Sequence, residues 1–543
     1  MSLKLFGYSL ISLVFSLNAM AAIPKDPLAA KVQELNIGNL DDPKTLDPQK
    51  CNETGCGAII LQLFEGLVRE NSDGNVLPAA AENWVISADG KTYNLRLRKN
   101  LKWSDGTKLT AEDFVYSLKR LVDPKVASEY STLLENVVNG KDIIDGKKPT
   151  DSLGVRAIDE RNLEIKLSAA TPHFLKNLTI SSTFPVQRNN VEKHGESEDS
   201  FTAEGILVSN GPFKLTGRKV GDKVTAERNE NYWNVESVYI SKVNFHSVSD
   251  TLTEYRMFET GQLDATDRVP VDLYKQIKKK YVKEFKESPY LGSYFYVFNT
   301  QIPPFNNKKL RQALSIVIDR NVIVHKVLGG RGEKPLYDFV PIGMSDYTHA
   351  KPYWQDWLRE KQLAEAKKLY KEAGFSEQKP LTLHILYNTL ESHRKIATAI
   401  ASMWKKELGV NAIPQNEEWK TMLDKRKNGD FEIMRLGYVA DINDVSNFFI
   451  QLRSTDPAND SHFKNKDYDS VVNKALIESD SARRQKLFEE GGKILAEDQP
   501  IMPIYSSISL YLVHPYVVEF KKNVLNHYYL SGVYLRENPK NIN

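Results

Sequence analysis

The chain has 543 residues, of which 41% are hydrophobic and 26% are charged, a composition typical of a globular protein of two or three domains. There are 73 lysine and arginine residues against 70 acidic residues, so the formal net charge is only +3. This balance gives no reason to expect nucleic acid or an anionic membrane as a partner. The densest basic run, 275–286, has the spacing of a solvated helix face.

The first residues have the pattern of a secretory signal peptide. Lys4 precedes an apolar stretch, and small residues at 19–21 form a cleavage site, so we expect residues 1–21 to be removed. The next residue is Ala22 and not cysteine, which indicates no lipid anchor. No later stretch approaches about 20 uninterrupted apolar residues, so we expect a soluble mature chain without membrane insertion.

The two cysteines, Cys51 and Cys56, lie close together in the segment CNETGC. In an exported protein such a pair is more typical of a disulfide than of a metal site, which would need further ligands nearby. No histidine lies within this segment, so we predict a disulfide and no metal. Closing so short a loop stabilises a protein by about 2 kcal/mol, so the bond would fix a local loop.

In chain order, the first third of the sequence has mainly the patterns of strands and turns. Residues 93–98 alternate apolar and polar side chains, and Thr110 with Asp113 forms the start signal of a helix. Further strands are predicted at 162–168 and within 211–229.

The second half of the chain alternates helices and strands. Helical spacing is found at 307–330, at 360–375 and near 391–407, and strand patterns cover 381–388 and 432–441. This alternation predicts an α/β fold. The absence of repeats and linker-like segments favours domains joined by crossing strands.

The sequence lacks the motifs of common enzyme classes. It contains no G-x-S-x-G, no H-E-x-x-H, no S-x-x-K followed by K-T-G, no Walker-type loop and no G-x-G-x-x-G. The ten histidines are scattered without metal-ligand spacing. We therefore expect no catalytic residue, no metal and no cofactor.

Four stretches resemble the family-5 extracellular solute-binding proteins of peptide ABC importers: 63–124, 298–320, 386–410 and 417–444. The resemblance extends from about residue 35 to the C-terminus. The last stretch is most similar to the oligopeptide-binding branch, which includes the murein-tripeptide binder.

The resemblance implies an α/β fold of the type II periplasmic-binding-protein kind. It has mixed sheets, two lobes that clamp the ligand by a hinge motion known for such proteins as a class, and one extra lobe. The implied bounds are discontinuous: lobe I at 22–64, 188–291 and 507–543, lobe II at 65–187, and lobe III at 292–506.

The resemblance also implies a use for the charges at the two ends of the strand 432–441. Asp441 would hold the α-ammonium of a peptide, and Arg435 would meet its carboxylate, because burying either charge unpaired costs several kcal/mol. Gly437, Tyr438 and Val439 would flank the peptide backbone. The alternatives are that Asp441 only caps a turn and that Arg435 belongs to a structural ion pair.

Further ligand contacts are implied at Asn52, Thr54, Tyr130, Lys326, His393, Trp419 and Arg426. The alternatives are a solvated helix residue for Lys326, a surface histidine at a helix start for His393, and core packing for Trp419. Trp419 and Arg426 are seven residues apart, two helical turns on one face.

The sequence departs from the family pattern near the expected ligand. Gly292 and Val439 stand where close relatives carry a disulfide. A glutamate, a tryptophan and a second glutamate of the pattern are replaced by Asn52, Tyr438 and Val297. The segment with Asp267 and Arg268 does not align without a gap, so their role is left open.

We therefore expect a monomeric receptor in the periplasm of a Gram-negative bacterium. It would bind short peptides by their backbone and termini and deliver them to the transmembrane permease subunits of an ABC transporter. The alternatives are a narrower ligand in the same family, such as a murein tripeptide, a dipeptide or haem, and a secreted hydrolase.

Overall fold

A computed structural model of the protein describes residues 24–195, 201–344 and 346–537. The predicted signal peptide, 1–21, lies outside these residues. Among the helices of the described ranges, none is long and apolar enough to cross a bilayer.

The strands of the described residues are β1 (Glu34–Gly38), β2 (Val68–Glu70), β3 (Val76–Pro78), β4 (Ala81–Ile86), β5 (Thr92–Leu97), β6 (Val155–Ala157), β7 (Asn162–Lys166), β8 (Phe213–Lys219), β9 (Lys223–Arg228), β10 (Lys242–His246), β11 (Phe285–Phe298), β12 (Lys334–Pro335), β13 (Thr382–Asn388), β14 (Asn411–Glu417), β15 (Ile433–Val439), β16 (Ile501–Leu512), β17 (Val517–Val518) and β18 (Tyr534–Leu535).

The α-helices are α1 (Thr54–Leu63), α2 (Ala111–Leu121), α3 (Gly140–Ile144), α4 (Phe174–Asn177), α5 (Arg188–His194), α6 (Thr251–Glu259), α7 (Tyr274–Lys280), α8 (Lys308–Val317), α9 (Arg320–Val322), α10 (Arg359–Glu372), α11 (Glu391–Leu408), α12 (Trp419–Asn428), α13 (Ser446–Phe449), α14 (Lys466–Ile477) and α15 (Ser481–Asp498).

The first body is built on the mixed sheet β1–β10–β9–β8, in which β1 runs parallel to β10 and the other pairs are antiparallel. Its buried core joins three distant parts of the chain, within 35–64, 184–265 and 511–535. The strands predicted within 211–229 are confirmed as β8 and β9.

The second body is built on the antiparallel sheet β4–β5–β7–β6 with α2, and its core lies within 67–178. The predicted alternation is confirmed, because Tyr93, Leu95 and Leu97 are buried between exposed neighbours. The predicted helix start is confirmed as well, since the backbone N–H of Thr110 donates to Asp113 Oδ2 over 2.8 Å.

The third body is built on the sheet β12–β16–β11–β15–β13–β14, which has one core on each face. Successive residues of β11 point to opposite faces, so Tyr294 and Tyr296 enter one core and Phe295 enters the other. Helices α8, α10 and α11 supply the first core, and α13, α14 and α15 supply the second. Mixed sheets with helices confirm the predicted α/β class.

Two long strands connect the third body to the first. Within the sheet, β11 pairs with β16 from Ser293 and Ser506 onward. The two strands also pair outside the sheet, where residues 285–289 of β11 face residues 508–512 of β16. The predicted limits of lobe III, 292 and 506, fall within these two strands. The bounds of the three lobes remain a prediction.

The helix predicted over 307–330 is interrupted, so a single continuous helix is wrong. Helix α8 ends at Val317, Ile318 is extended, and the Asp319 carboxylate caps α9 by accepting from Val322 N over 3.0 Å. The cause is Arg320, whose buried guanidinium binds carbonyl oxygens at the end of α8, including Ser315 O at 3.1 Å. The elements predicted at 360–375, 381–388, 391–407 and 432–441 are confirmed as α10, β13, α11 and β15.

Candidate functional site

A cavity of about 270 Å³ lies where all three bodies meet. Its walls come from α1, from the loops at 179–182 and 525–527, and from the end of β15. Five of the predicted contact residues are brought together here: Asn52, Thr54, Tyr130, Val439 and Asp441. We call this space the acidic cavity, for the charges of its lining.

Helix α1 lines the acidic cavity with one face, because Thr54, Ala58 and Leu61 follow one another at helical spacing. The disulfide predicted between Cys51 and Cys56 is confirmed, with the Cα atoms 6.0 Å apart. It closes the loop that leads into α1, and therefore holds the cavity residues of that loop next to the helix.

Asp441 follows β15, and its side chain is open to the acidic cavity. Its backbone N–H donates to Asn447 Oδ1 over 2.8 Å, and the Tyr438 hydroxyl lies 2.9 Å from that same oxygen and 3.3 Å from Asp441 Oδ2. Asp441 is solvent-exposed within the cleft, but the surrounding protein partly desolvates its carboxylate and raises its pKa, although Tyr438 and the nearby His527 oppose the shift. No lysine or arginine of the described ranges lies within 4 Å of this carboxylate.

Two further carboxylates line the acidic cavity. Glu70 is buried and accepts from Thr179 Oγ1 at 3.0 Å, from Asn523 Nδ2 at 3.0 Å and, at 3.1 Å, from Nδ1 of His527 in the tautomer protonated there. Glu53 pairs with Lys44 over 2.8 Å. The described lining thus has three carboxylates and no lysine or arginine, so the cavity favours a cation.

Two tyrosines stand over the same cavity. The pKa of Tyr130 is raised to about 12 by burial and by the charges of Asp441 and Glu129. Burial, with the charges of Asp267 and Asp441, likewise raises the pKa of Tyr290 to about 12. Both phenols are therefore neutral hydrogen-bonding groups at any physiological pH.

The main chain of β15 has one open edge beside this cavity. The strand pairs with β11 along its whole length, from Ile433 to Val439, but with β13 only at Ile433 and Met434. From Arg435 onward, the described strands leave the β13 side of β15 without a neighbour. Gly292 lies directly opposite Val439, so these two positions are cross-strand neighbours.

Arg435 lies on the opposite sheet face from Tyr438, packed over the Tyr294 ring at 4.5 Å. Its Nη1 donates to Asn388 Oδ1 over 3.3 Å, and no described carboxylate forms an ion pair with it. The ion-pair alternative therefore has no support among the described residues. The guanidinium keeps its charge available near the open edge.

His393 is buried next to Arg435, and the surface alternative for this histidine is wrong. Its Nδ1 lies 3.2 Å from Asn388 O, and its ring lies 5.6 Å from that of Tyr294. Burial and the positive charge of Arg435 lower the pKa of His393 to about 4, so the imidazole is neutral.

Lys326 lies in a second cavity, of about 470 Å³, between α7, the segment 326–331 and the start of α11. Its described charged residues are Asp272, Lys275, Lys326, Arg331, Glu391 and Lys395. Four basic groups against two acidic ones give this basic cavity the opposite sign from the acidic cavity.

The remaining predicted contacts lie apart from both cavities. Trp419 is 46% exposed, so core packing is wrong for it, and Arg426 pairs with Asp460 through a 2.7 Å contact from Nε to Oδ1. Their contact with a ligand remains a prediction. Asp267 forms an ion pair over 2.6 Å with the buried Lys522, so its carboxylate has a partner within the fold.

Sequence reasoning missed Glu70, Tyr290 and His527. None of them lies in a motif, and they reach the acidic cavity from segments more than 200 residues apart. They come together only in the folded protein, and no local sequence pattern marks these three residues as neighbours.

This fold and site define a class of protein: a solute-binding receptor whose cleft lies between bodies joined by crossing strands. The family model for bacterial extracellular solute-binding proteins, family 5 middle, matches residues 75–460. The chain belongs to this family.

Three relatives illustrate the similarity. The periplasmic oligopeptide-binding protein OppA of Salmonella typhimurium is 37% identical over 531 residues, 97% of each chain. The periplasmic murein peptide-binding protein MppA of Escherichia coli is 39% identical over 511 residues, 94% of each. The Haemophilus influenzae OppA complex with the peptide RPPGFSPFR has a TM-score of 0.79 and 34% identity, covering 94% of this chain and all of that one.

Proposed function

We propose that this protein is a periplasmic receptor that binds short peptides in an extended conformation and delivers them to an ABC-type permease. The observation that carries the proposal is the Asp441 carboxylate, which is accessible in the cleft at the end of an open strand edge and has no basic partner among the described residues. Relatives named as oligopeptide-binding proteins support it.

The amino end of the peptide lies in the acidic cavity. An α-ammonium there pairs with Asp441, and Tyr130 and Tyr290 offer neutral oxygens for its remaining protons. Pairing with a cation also compensates the cost of enclosing this carboxylate, which the protein bears alone when the cavity holds no ligand.

The peptide backbone adds to the open edge of β15. Between Arg435 and Val439 this edge offers main-chain donors and acceptors, and strand addition is a general mode of peptide recognition. Because these contacts involve only backbone atoms, they accept peptides of many sequences.

The carboxyl end of the peptide lies towards the basic residues Arg435 and Lys326. Asp441 is six positions after Arg435, which corresponds to about 20 Å of extended chain. Extended peptides of a few residues match this span. Arg435 and, for longer ligands, Lys326 in the basic cavity supply the counter-charge.

A narrower ligand is the second candidate, because a murein peptide-binding protein is among the relatives at 39% identity. Such a ligand carries an amino terminus and carboxylates, so the charged ends of the cleft would suit it as well. Membership of a solute-binding family supports a receptor without catalysis over a secreted hydrolase.

Mass spectrometry of ligands released from gently purified protein tests the proposal. We expect a mixed set of short peptides with free amino termini. A single murein fragment would favour the second candidate, and a haem or no peptide at all would overturn the proposal.

A further inference from the structure

The turn that follows β15 is held from the opposite side of the cleft. Lys176 lies on α4 of the second body, and its Nζ donates to Asn443 O over 2.5 Å and to Asp444 Oδ2 over 3.0 Å. Asn443 Nδ2 in turn donates to Asp73 O over 2.8 Å. The second and third bodies thus meet through directed polar contacts at one turn.

The third body does not need Lys176 to neutralise Asp444. The carboxylate is buried, and Arg484 of the same body binds it at 2.7 Å and 3.2 Å. Burial alone would raise the pKa of Asp444, but Arg484 and then Lys176 outweigh it and hold that pKa far below its usual range. Asp346 lies 3.8 Å from both Arg484 Nη1 and Lys176 Nζ, so Lys176 is a second cation that the opposite body brings to a pair of acids of the third body.

Hydrogen bonds within the turn fix Asp441 and Asp444 relative to each other, so a movement of one residue moves the other. Asp441 is fixed through its N–H to Asn447 Oδ1, and Asp444 Oδ1 accepts from Ser446 N over 3.0 Å. Asp441 faces the acidic cavity and Asp444 faces Lys176, three residues apart in one hydrogen-bonded segment. Separation of the two bodies would remove Lys176 from Asp444 and Tyr130 from Asp441 in the same movement.

We propose that Lys176 is a positioning residue for ligand capture, which stabilises the closed arrangement of the cleft by binding the turn Asp441–Asp444 without touching the ligand. The proposal rests on the proposed function and adds to it the residue that couples closure to binding. Because such coupling is reciprocal, a ligand at Asp441 strengthens the Lys176 contacts as much as they strengthen ligand binding.

The test compares Lys176→Met with Lys119→Met. Lys119 is the matched control, because it also lies in the second body, pairs with an aspartate at 2.9 Å and has a similar exposed fraction, 24% against 28%. Calorimetry and dissociation kinetics on three tripeptides with different side chains give the readouts. We expect Lys176→Met to weaken all three by the same factor of about ten, mainly through faster dissociation, and Lys176→Arg to restore most of it.

Small-angle scattering of the free protein gives a readout that needs no ligand. We expect a larger radius of gyration for Lys176→Met than for the wild type and Lys119→Met. If Lys176→Met leaves both dissociation rate and radius unchanged, the inference is wrong, even where peptides bind. If the wild type binds no peptide, the proposed function fails, and the radius alone decides the role of Lys176.

Discussion

At the scale of single residues, Asp441 is accessible in the cleft, is partly desolvated by the surrounding protein and has no basic partner among the described residues. Desolvation penalises its charged form, which is why its pKa is raised. A structural carboxylate in such a place usually has a partner, as Asp444 has in Arg484 and Asp267 in Lys522. The missing basic partner therefore indicates that Asp441 binds a ligand, whereas Asp444 and Asp267 stabilise the fold.

We expect Asp441→Asn to keep the fold and to weaken peptides with a free amino terminus by roughly 2–5 kcal/mol, because the ligand's ammonium would be enclosed unpaired. N-acetylated peptides carry no such charge, so the substitution should change their affinity little. Calorimetry on the four combinations yields the coupling free energy between the two charges. Equal weakening of acetylated and free peptides would show that Asp441 is only a turn residue.

At the scale of elements, the open edge of β15 predicts which backbone amides of a bound peptide form hydrogen bonds with the protein. In a strand pair, the backbone groups of alternate residues point to the same neighbour. A tetrapeptide with a single N-methyl group should therefore lose about 1–3 kcal/mol of binding free energy only where the methylated amide faces β15. Methylation of the amides that point away is the control, and equal losses at every position would contradict strand addition.

The loop closed by the Cys51–Cys56 disulfide leads into α1 and supplies cavity residues. Replacing both cysteines by serine should lower the free energy of unfolding by about 2 kcal/mol, leave the fold intact and weaken peptide binding. Denaturant unfolding measures the first effect and calorimetry the last. A reducing agent should reproduce both effects in the wild type and change nothing in the variant; two thiols free for alkylation in the untreated protein would refute the disulfide in solution.

Sequence patterns predicted most elements, because periodicity and capping act over a few residues. The failure at Ile318 arose from Arg320, whose Nε also binds Leu336 O and Pro503 O, carbonyls that only tertiary packing brings near. The same limit applies to the site. Asp441 and Arg435 were marked by their place in a strand, whereas Glu70 and His527 have no local mark.

At the scale of the whole molecule, Glu254 lies near the place where β16 enters the first body. It is fully buried, its Oε1 accepts from Asp267 N over 2.5 Å, and its other oxygen has no partner among the described residues. Burial and the charge of Asp267 raise its pKa to about 7. Gly38 at the end of β1 leaves room for this carboxyl, because a Cβ at position 38 would lie only 1.9 Å from Glu254 Oε1.

This carboxyl makes stability depend on pH. The unfolded chain loses the proton near pH 4.3, whereas the folded protein keeps it until about pH 7. The penalty on the folded state is therefore absent below about pH 4, grows as the pH rises, and reaches about 3 kcal/mol above pH 7.

We expect Glu254→Gln to unfold at a higher temperature than the wild type at pH 8 and to exceed it by a much smaller margin at pH 5, where the penalty is about a third as large. Calorimetric unfolding at both pH values measures this, with the exposed Glu112→Gln as the control. A stabilisation that is equal at pH 5 and pH 8 would mean that the glutamate does not titrate between them.

The three bodies could be predicted from the sequence, but their relative placement could not. Family-like stretches implied discontinuous lobes, and the crossing strands β11 and β16 follow from the absence of linkers. The relative placement of the bodies depends on contacts such as Lys176 with Asp444, 268 residues apart, which no local pattern encodes.

The first body also determines when the chain can fold. Gln33 exchanges two hydrogen bonds with Leu535, at 2.9 Å and 2.7 Å, and Gln62 donates to Tyr528 O over 2.8 Å. During synthesis, the earliest described segments therefore wait for the last ones to leave the ribosome, and such high contact order makes folding slow. A nascent chain of this topology therefore cannot form its first core until the C-terminal segments within 511–535 have been made.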